Sequence, residues 1–151
     1  MRKFCDREIE LLAPAGNFEI FQSVVDSKCD AIYFGGQALN MRMIRKGFNF
    51  SDEELKEAVR NAHNLGKKAY ITVNNLVDFK EIEFAKTYLK TLAEIKPDAI
   101  IIQDFAILKL VKSLKLDLDI HASVMMNVHN VAFVSALQRH VNSALLQPTI
   151  Y

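Results

Sequence analysis

Apolar runs of four to six residues alternate along the chain with longer segments in which apolar positions recur at helical spacing. That alternation predicts βα units and a parallel sheet. Residues 9–13 read as a first strand, stopped by Pro14-Ala15-Gly16. Asn17, a good N-cap, opens a helix with Phe18, Phe21, Val24 and Val25 on its apolar face. Residues 30–34 form a second strand, broken by Gly35-Gly36. The connection from Gly35 to Phe50 is long for a βα loop, and loops of that length inside a compact domain carry function or short structure.

Ser51 and Glu54 have the spacing of a capping box, for a helix that runs to about Leu65 and ends at Gly66. Lys68–Val73 is a third strand, and Asp78 caps a helix from Phe79 to about Ile95. Pro97 separates that helix from a fourth strand, Ala99–Ile102. Residues 105–114 have helical spacing, with Lys109, Lys112 and Lys115 on the wet face. Residues 118–122 make a fifth strand, 128 to about 139 a fifth helix, and 144–146 the start of a sixth strand. The expected fold is α/β, a partial TIM-like (β/α) barrel of about five βα units plus the start of a sixth strand, in one domain over 1–151. A closed eight-unit barrel takes roughly 250 residues, so this chain falls short of one.

Composition narrows the function classes. With 19 Lys+Arg against 18 Asp+Glu, the chain lacks the excess positive charge of a nucleic-acid arm or polybasic membrane patch, although a local basic site remains open. No apolar run reaches the roughly 18 residues of a membrane span and the N-terminus has no apolar leader, so a cytoplasmic location without membrane partners is expected. Cys5 and Cys29 form no Cys-x-x-Cys and read as unpaired thiols.

In parallel α/β folds ligands gather at the carboxyl ends of the strands. The predicted strands deliver Tyr33, Gly35, Thr72, Asn74, Gln103, Asp104, His121 and Ser123 to those ends. Asp104 is equally a helix cap and Asn74 a turn residue, whereas together these groups read as a binding rim. The long second loop adds Asn40, Arg42, Arg45 and Lys46, and an arginine fork there suits a phosphate or carboxylate. A Gly-x-Ser-x-Gly elbow, His-Glu-x-x-His, Walker loop and Gly-x-Gly-x-x-Gly are all absent.

Taken in order, Glu10-Leu11-Leu12-Ala13-Pro14-Ala15-Gly16, Cys29-Asp30-Ala31-Ile32-Tyr33-Phe34-Gly35, Asn40-Met41-Arg42, Phe48-Asn49-Phe50, Asn74, Asp104 and His121-Ala122-Ser123 resemble the N-terminal part of the U32 family, the collagenase-like peptidases. The resemblance implies an incomplete or modified TIM-like barrel. It also implies two competing activities, a peptidase and an oxygen-independent hydroxylase of RNA bases or of a quinone ring. On this resemblance Asp104 and His121 are the catalytic candidates, and Asn40, Arg42, Asn74, Ser123 and Glu10 the substrate-binding ones, with Arg42 as an anion clamp.

Hydroxylating members are similar in carrying four downstream cysteines that hold an iron–sulfur cluster. Two cysteines cannot build such a site, so the expectation is no cofactor in this chain itself and a cluster in a full-length protein. The family's Ser-Arg-Glu block is also missing where the chain reads Ala144-Leu145-Leu146-Gln147, and Val124-Met125 stand in place of a common Thr-Gln. Three readings result: the substrate-binding part of a U32 peptidase, a fragment of an RNA or quinone hydroxylase, or an inactive product truncated after about residue 137. Peptide and RNA both remain as partners, and an unpaired sheet edge predicts self-association.

Overall fold

The computed structural model describes residues 2–4, 7–43, 45 and 47–144, in two compact units, Met1–Thr72 and Val73–Tyr151. In the first, β1 (Arg2–Phe4) and β2 (Arg7–Ile9) form an antiparallel ribbon. It is followed by β3 (Leu12–Pro14), α1 (Phe18–Val25), β4 (Ala31–Gly35), α2 (Asp52–Asn64) and β5 (Lys68–Val73). Strands β3, β4 and β5 are parallel in that order, with Ala13 opposite Ile32 and Gly35 opposite Thr72.

The first strand departs from the sequence expectation of 9–13. Ile9 belongs to the ribbon, and the parallel ladder starts only at Leu12. The cause lies far along the chain. The Asp30 carboxylate accepts the Leu11 N–H at 2.8 Å, and the Asp30 N–H donates to the Leu11 carbonyl at 2.9 Å, which sets the register of β3 against β4. Pro14, unable to donate to a ladder, closes a strand that pairs on one side within this unit.

Both helices of this unit start where their caps predict. The Asn17 carboxamide oxygen accepts the Ile20 N–H at 2.9 Å. Ser51 Oγ accepts the Glu54 N–H at 3.2 Å while the Glu54 carboxylate accepts the Ser51 N–H at 2.8 Å, a complete capping box. A Ser51→Ala variant therefore loses about 1 kcal/mol of stability, read as a lower urea midpoint at unchanged slope. Gly66 takes a φ of +68° just past the helix end, a conformation that favours glycine. The core is a cluster of rings: Phe34 stacks on Phe50 at 4.8 Å between centroids, and Phe21 meets Phe34 edge-on at 5.6 Å. Ile32, Leu55 and Ile71 are fully buried with them.

In the second unit a 3-10 turn at Phe79–Glu81 leads into α3 (Ile82–Ile95). Then come β6 (Ala99–Ile102), α4 (Phe105–Ser113), β7 (Ile120–Ala122), a second 3-10 turn at Val124–Met126, α5 (Val131–Leu137) and β8 (Ser143–Ala144). Strands β6, β7 and β8 are parallel, with Ile101 opposite His121 and His121 opposite Ser143. All four residues of β6 are buried, as a strand covered on both faces requires. Lys109, Lys112 and Lys115 are exposed, as their spacing predicts.

Two boundaries are corrected here. The fifth strand is shorter than 118–122, beginning at Ile120. The fifth helix begins at Val131 rather than 128, because Asn127 adopts a left-handed φ of +56° and Asn130 caps the helix through the Phe133 N–H at 2.8 Å. The start of the sixth strand is present as Ser143–Ala144, while residues 145 and 146 of that expectation lie outside the described residues. The element order is thus five βα units and the beginning of a sixth, an α/β fold with parallel strands alternating with helices.

Candidate functional site

The carboxyl end of β4 carries the first group of candidates. Gly35 ends the strand with so little room that a Cβ would stand 2.6 Å from Thr72 Oγ1 and 3.1 Å from Asn40 Cγ. Asn40 is 1% exposed. Its Nδ2 donates to the Gly36 carbonyl and its Oδ1 accepts the Arg42 N–H at 2.8 Å, so its amide ties the loop's own backbone together. Arg42 is exposed, with its guanidinium 5.9 Å from the Tyr33 ring centroid. Arg45 lies over Phe48 at 4.5 Å, and Lys46 lies outside the described residues.

The long loop is therefore fastened rather than slack. Phe50 donates its N–H to the Gly35 carbonyl at 2.9 Å, Asn49 donates its own to the Gly16 carbonyl at 2.8 Å, and Asn17 Nδ2 reaches the Gly47 carbonyl at 3.1 Å. Sequence reasoning missed the part played by Asn49, whose Nδ2 donates to the Arg42 carbonyl at 3.1 Å. Its φ is +96°, and the residue type was the one signal open to a reader of the sequence, since asparagine is enriched at positive φ.

The second unit places Asn74, Asp104, His121 and Ser123 at or beside strand ends. Asp104 caps α4, with Oδ1 accepting the Ala106 N–H at 2.8 Å, and its Oδ2 accepts the Val77 N–H at 2.9 Å. Each carboxylate oxygen is thus committed to a backbone donor. Ser123 is buried, accepts the Met125 N–H at 3.2 Å and donates its own N–H to the Ile102 carbonyl at 2.7 Å. Asn74 Nδ2 lies 3.9 Å from Met125 Sδ, which joins the loop after β5 to the turn after β7. His121 is half-buried on β7. Around these groups Leu76, Phe79, Val124 and Met125 are exposed apolar side chains, Phe79 at 90%.

Glu10 sits apart from the other candidates of its unit. It precedes β3, at the amino ends of the strands, where its carboxylate accepts the Tyr70 hydroxyl at 2.8 Å and pairs with Lys68 at 2.9 Å. With Cys29, Asp30 and 65–68 it lines a cleft of about 330 Å³. The amino end of such strands serves stability rather than chemistry.

Cys29 is buried, with its thiol 3.7 Å from both the Val24 carbonyl and the Lys67 ammonium, and Cys5 lies outside the described residues. Among the described residues no group of three or more His, Cys, Asp or Glu side chains is placed to hold a metal ion. The described residues accordingly do not fit an iron–sulfur cluster, which takes four thiolates. No described helix is long and apolar enough to cross a membrane.

The profile of Peptidase family U32 matches residues 16–145. The chain is 33% identical over 123 residues to the tRNA hydroxylation protein P of Helicobacter pylori (strain J99), covering 82% of this chain and 29% of that protein. It is 35% identical over 122 residues to the uncharacterized protease MJ0090 of Methanocaldococcus jannaschii, covering 81% of this chain and 29% of that one. The chain thus spans less than a third of the length of these curated relatives. Among solved structures, the U32 peptidase Mk0906 superposes with a TM-score of 0.71 at 13% identity, over 97% of this chain and 63% of that one, a likeness of fold.

Proposed function

Because the chain belongs to peptidase family U32, we propose that it is the RNA-facing α/β portion of a protein that, in its complete form, hydroxylates a base of RNA. The observation that carries this reading is the state of Asp104. A hydrolase that uses a carboxylate as general base needs an oxygen within reach of the attacking water. Both Asp104 oxygens already accept a backbone N–H, from Ala106 and from Val77, so the carboxylate is built into the fold as a helix cap and a loop tie.

What the strand ends offer suits a planar, anionic polymer. Arg42 over Tyr33 is a cation and ring pair of the kind that stacks on bases and meets phosphates. The second unit, taken by itself, exposes the Phe79 ring, an apolar surface of the kind on which unpaired bases stack. The similarity to a tRNA hydroxylation protein supports the same reading. The near-zero net charge supplies no general attraction for RNA, so the reading rests on the local cations of the long loop, Arg42 and Arg45.

The peptidase reading, favoured by the likeness to MJ0090, is the alternative that one experiment separates. The full-length protein is incubated in parallel with labelled single-stranded RNA and with denatured collagen. Retention of RNA with intact collagen is the expected result. Collagen fragments released by the full-length protein would overturn the reading.

A further inference from the structure

We propose that Arg42 is a phosphate hook for the RNA strand and that Asn40 and Asn49 are its positioning residues, an inference that rests on the RNA reading above. The peptide of Arg42 is held on both sides. Its N–H donates to Asn40 Oδ1 at 2.8 Å, and its carbonyl accepts both Asn49 Nδ2 at 3.1 Å and the Arg45 N–H at 2.9 Å.

The two asparagines are themselves fixed by the core. Asn40 is buried beside Gly35, where only the missing Cβ leaves space for its amide. A buried amide costs free energy unless its polar atoms are paired, and Asn40 pairs with Gly36 and Arg42, both in its own loop. Asn49 follows Phe48 and precedes fully buried Phe50, and its own N–H is tied to Gly16. The outcome is an exposed arginine whose own peptide is hydrogen-bonded on both sides.

Such anchoring matters for binding because an unfixed arginine loses rotamer freedom when it captures an anion. The Tyr33 ring, 5.9 Å from the guanidinium, restricts that freedom further, and the Arg42 side chain stays exposed. A phosphodiester, present once per nucleotide, accepts the guanidinium fork through two oxygens.

The test is a titration of a labelled single-stranded oligoribonucleotide of mixed sequence into the full-length protein across a range of salt. Arg42→Gln is expected to flatten the dependence of log affinity on log salt by about 0.7, the loss of one phosphate contact to a single strand. Asn49→Gly suits the φ of +96° and removes only the side chain, so it should weaken binding in the same sense. Combined with Arg42→Gln it should add no further loss, since its effect passes through Arg42. An unchanged salt slope in Arg42→Gln, or losses that add, would overturn the hook while leaving RNA binding intact. Failure of the unsubstituted protein to bind RNA would overturn the hook together with the reading beneath it.

Discussion

Asp104→Ala is expected to destabilise the chain by about 2–4 kcal/mol, a loss that combines a helix cap with a charge-assisted hydrogen bond. The cap is the Ala106 N–H bound to Oδ1, and the second bond ties Val77, at the end of the loop after β5, to Oδ2. Alanine leaves both donors short of a partner in partly buried surroundings. Asp104→Asn should fall between the two, because its carboxamide keeps one acceptor and turns an N–H toward a backbone donor. Urea unfolding of the three proteins reads this order directly. An Asp104→Asn protein as stable as the original but without activity would instead make Asp104 a reacting group.

Phe50→Ala is the larger perturbation, with an expected cost of about 3–5 kcal/mol. Phe50 is fully buried and meets Phe34, Phe18 and Phe21 at 4.8, 6.1 and 6.3 Å between ring centroids. It is also where the long loop rejoins the strand, through its N–H to the Gly35 carbonyl. The same change should therefore loosen the Arg42 turn, seen as faster amide exchange across 39–49 than in the remainder of the first unit. Equal exchange in both places would mean that the loop is held independently of the ring cluster.

The capping chemistry was the most legible part of the fold. Asn17, Ser51 with Glu54, and Asp78 all cap where local spacing places them, because each bond closes within three residues. The first strand was not legible, since its register depends on Asp30 binding Leu11 across nineteen positions. The fifth helix starts late because Asn127 turns left-handed, a local choice that apolar periodicity does not report.

The candidate site divides in the same way. Alternation of strands and helices placed Asp104, Asn74, His121 and Ser123 near strand ends. What their polar atoms are spent on is a matter of three-dimensional partners, and Asp104, Ser123 and Asn40 are spent on backbone. Glu10 came forward with a motif rather than a position, and the structure sets it at the amino ends. Asn49 was legible only as part of the Phe48-Asn49-Phe50 block and not by its role, because nothing in its immediate neighbours announces the Arg42 carbonyl seven residues away.

Whether this chain faces RNA in a base-hydroxylating protein is decided by mass spectrometry of nucleosides. RNA is digested from cells that lack the gene and from the same cells with the gene restored. One nucleoside, heavier than its parent by a single oxygen atom, should vanish with the gene and return with it. Identical nucleoside profiles in the two cultures would contradict the RNA reading.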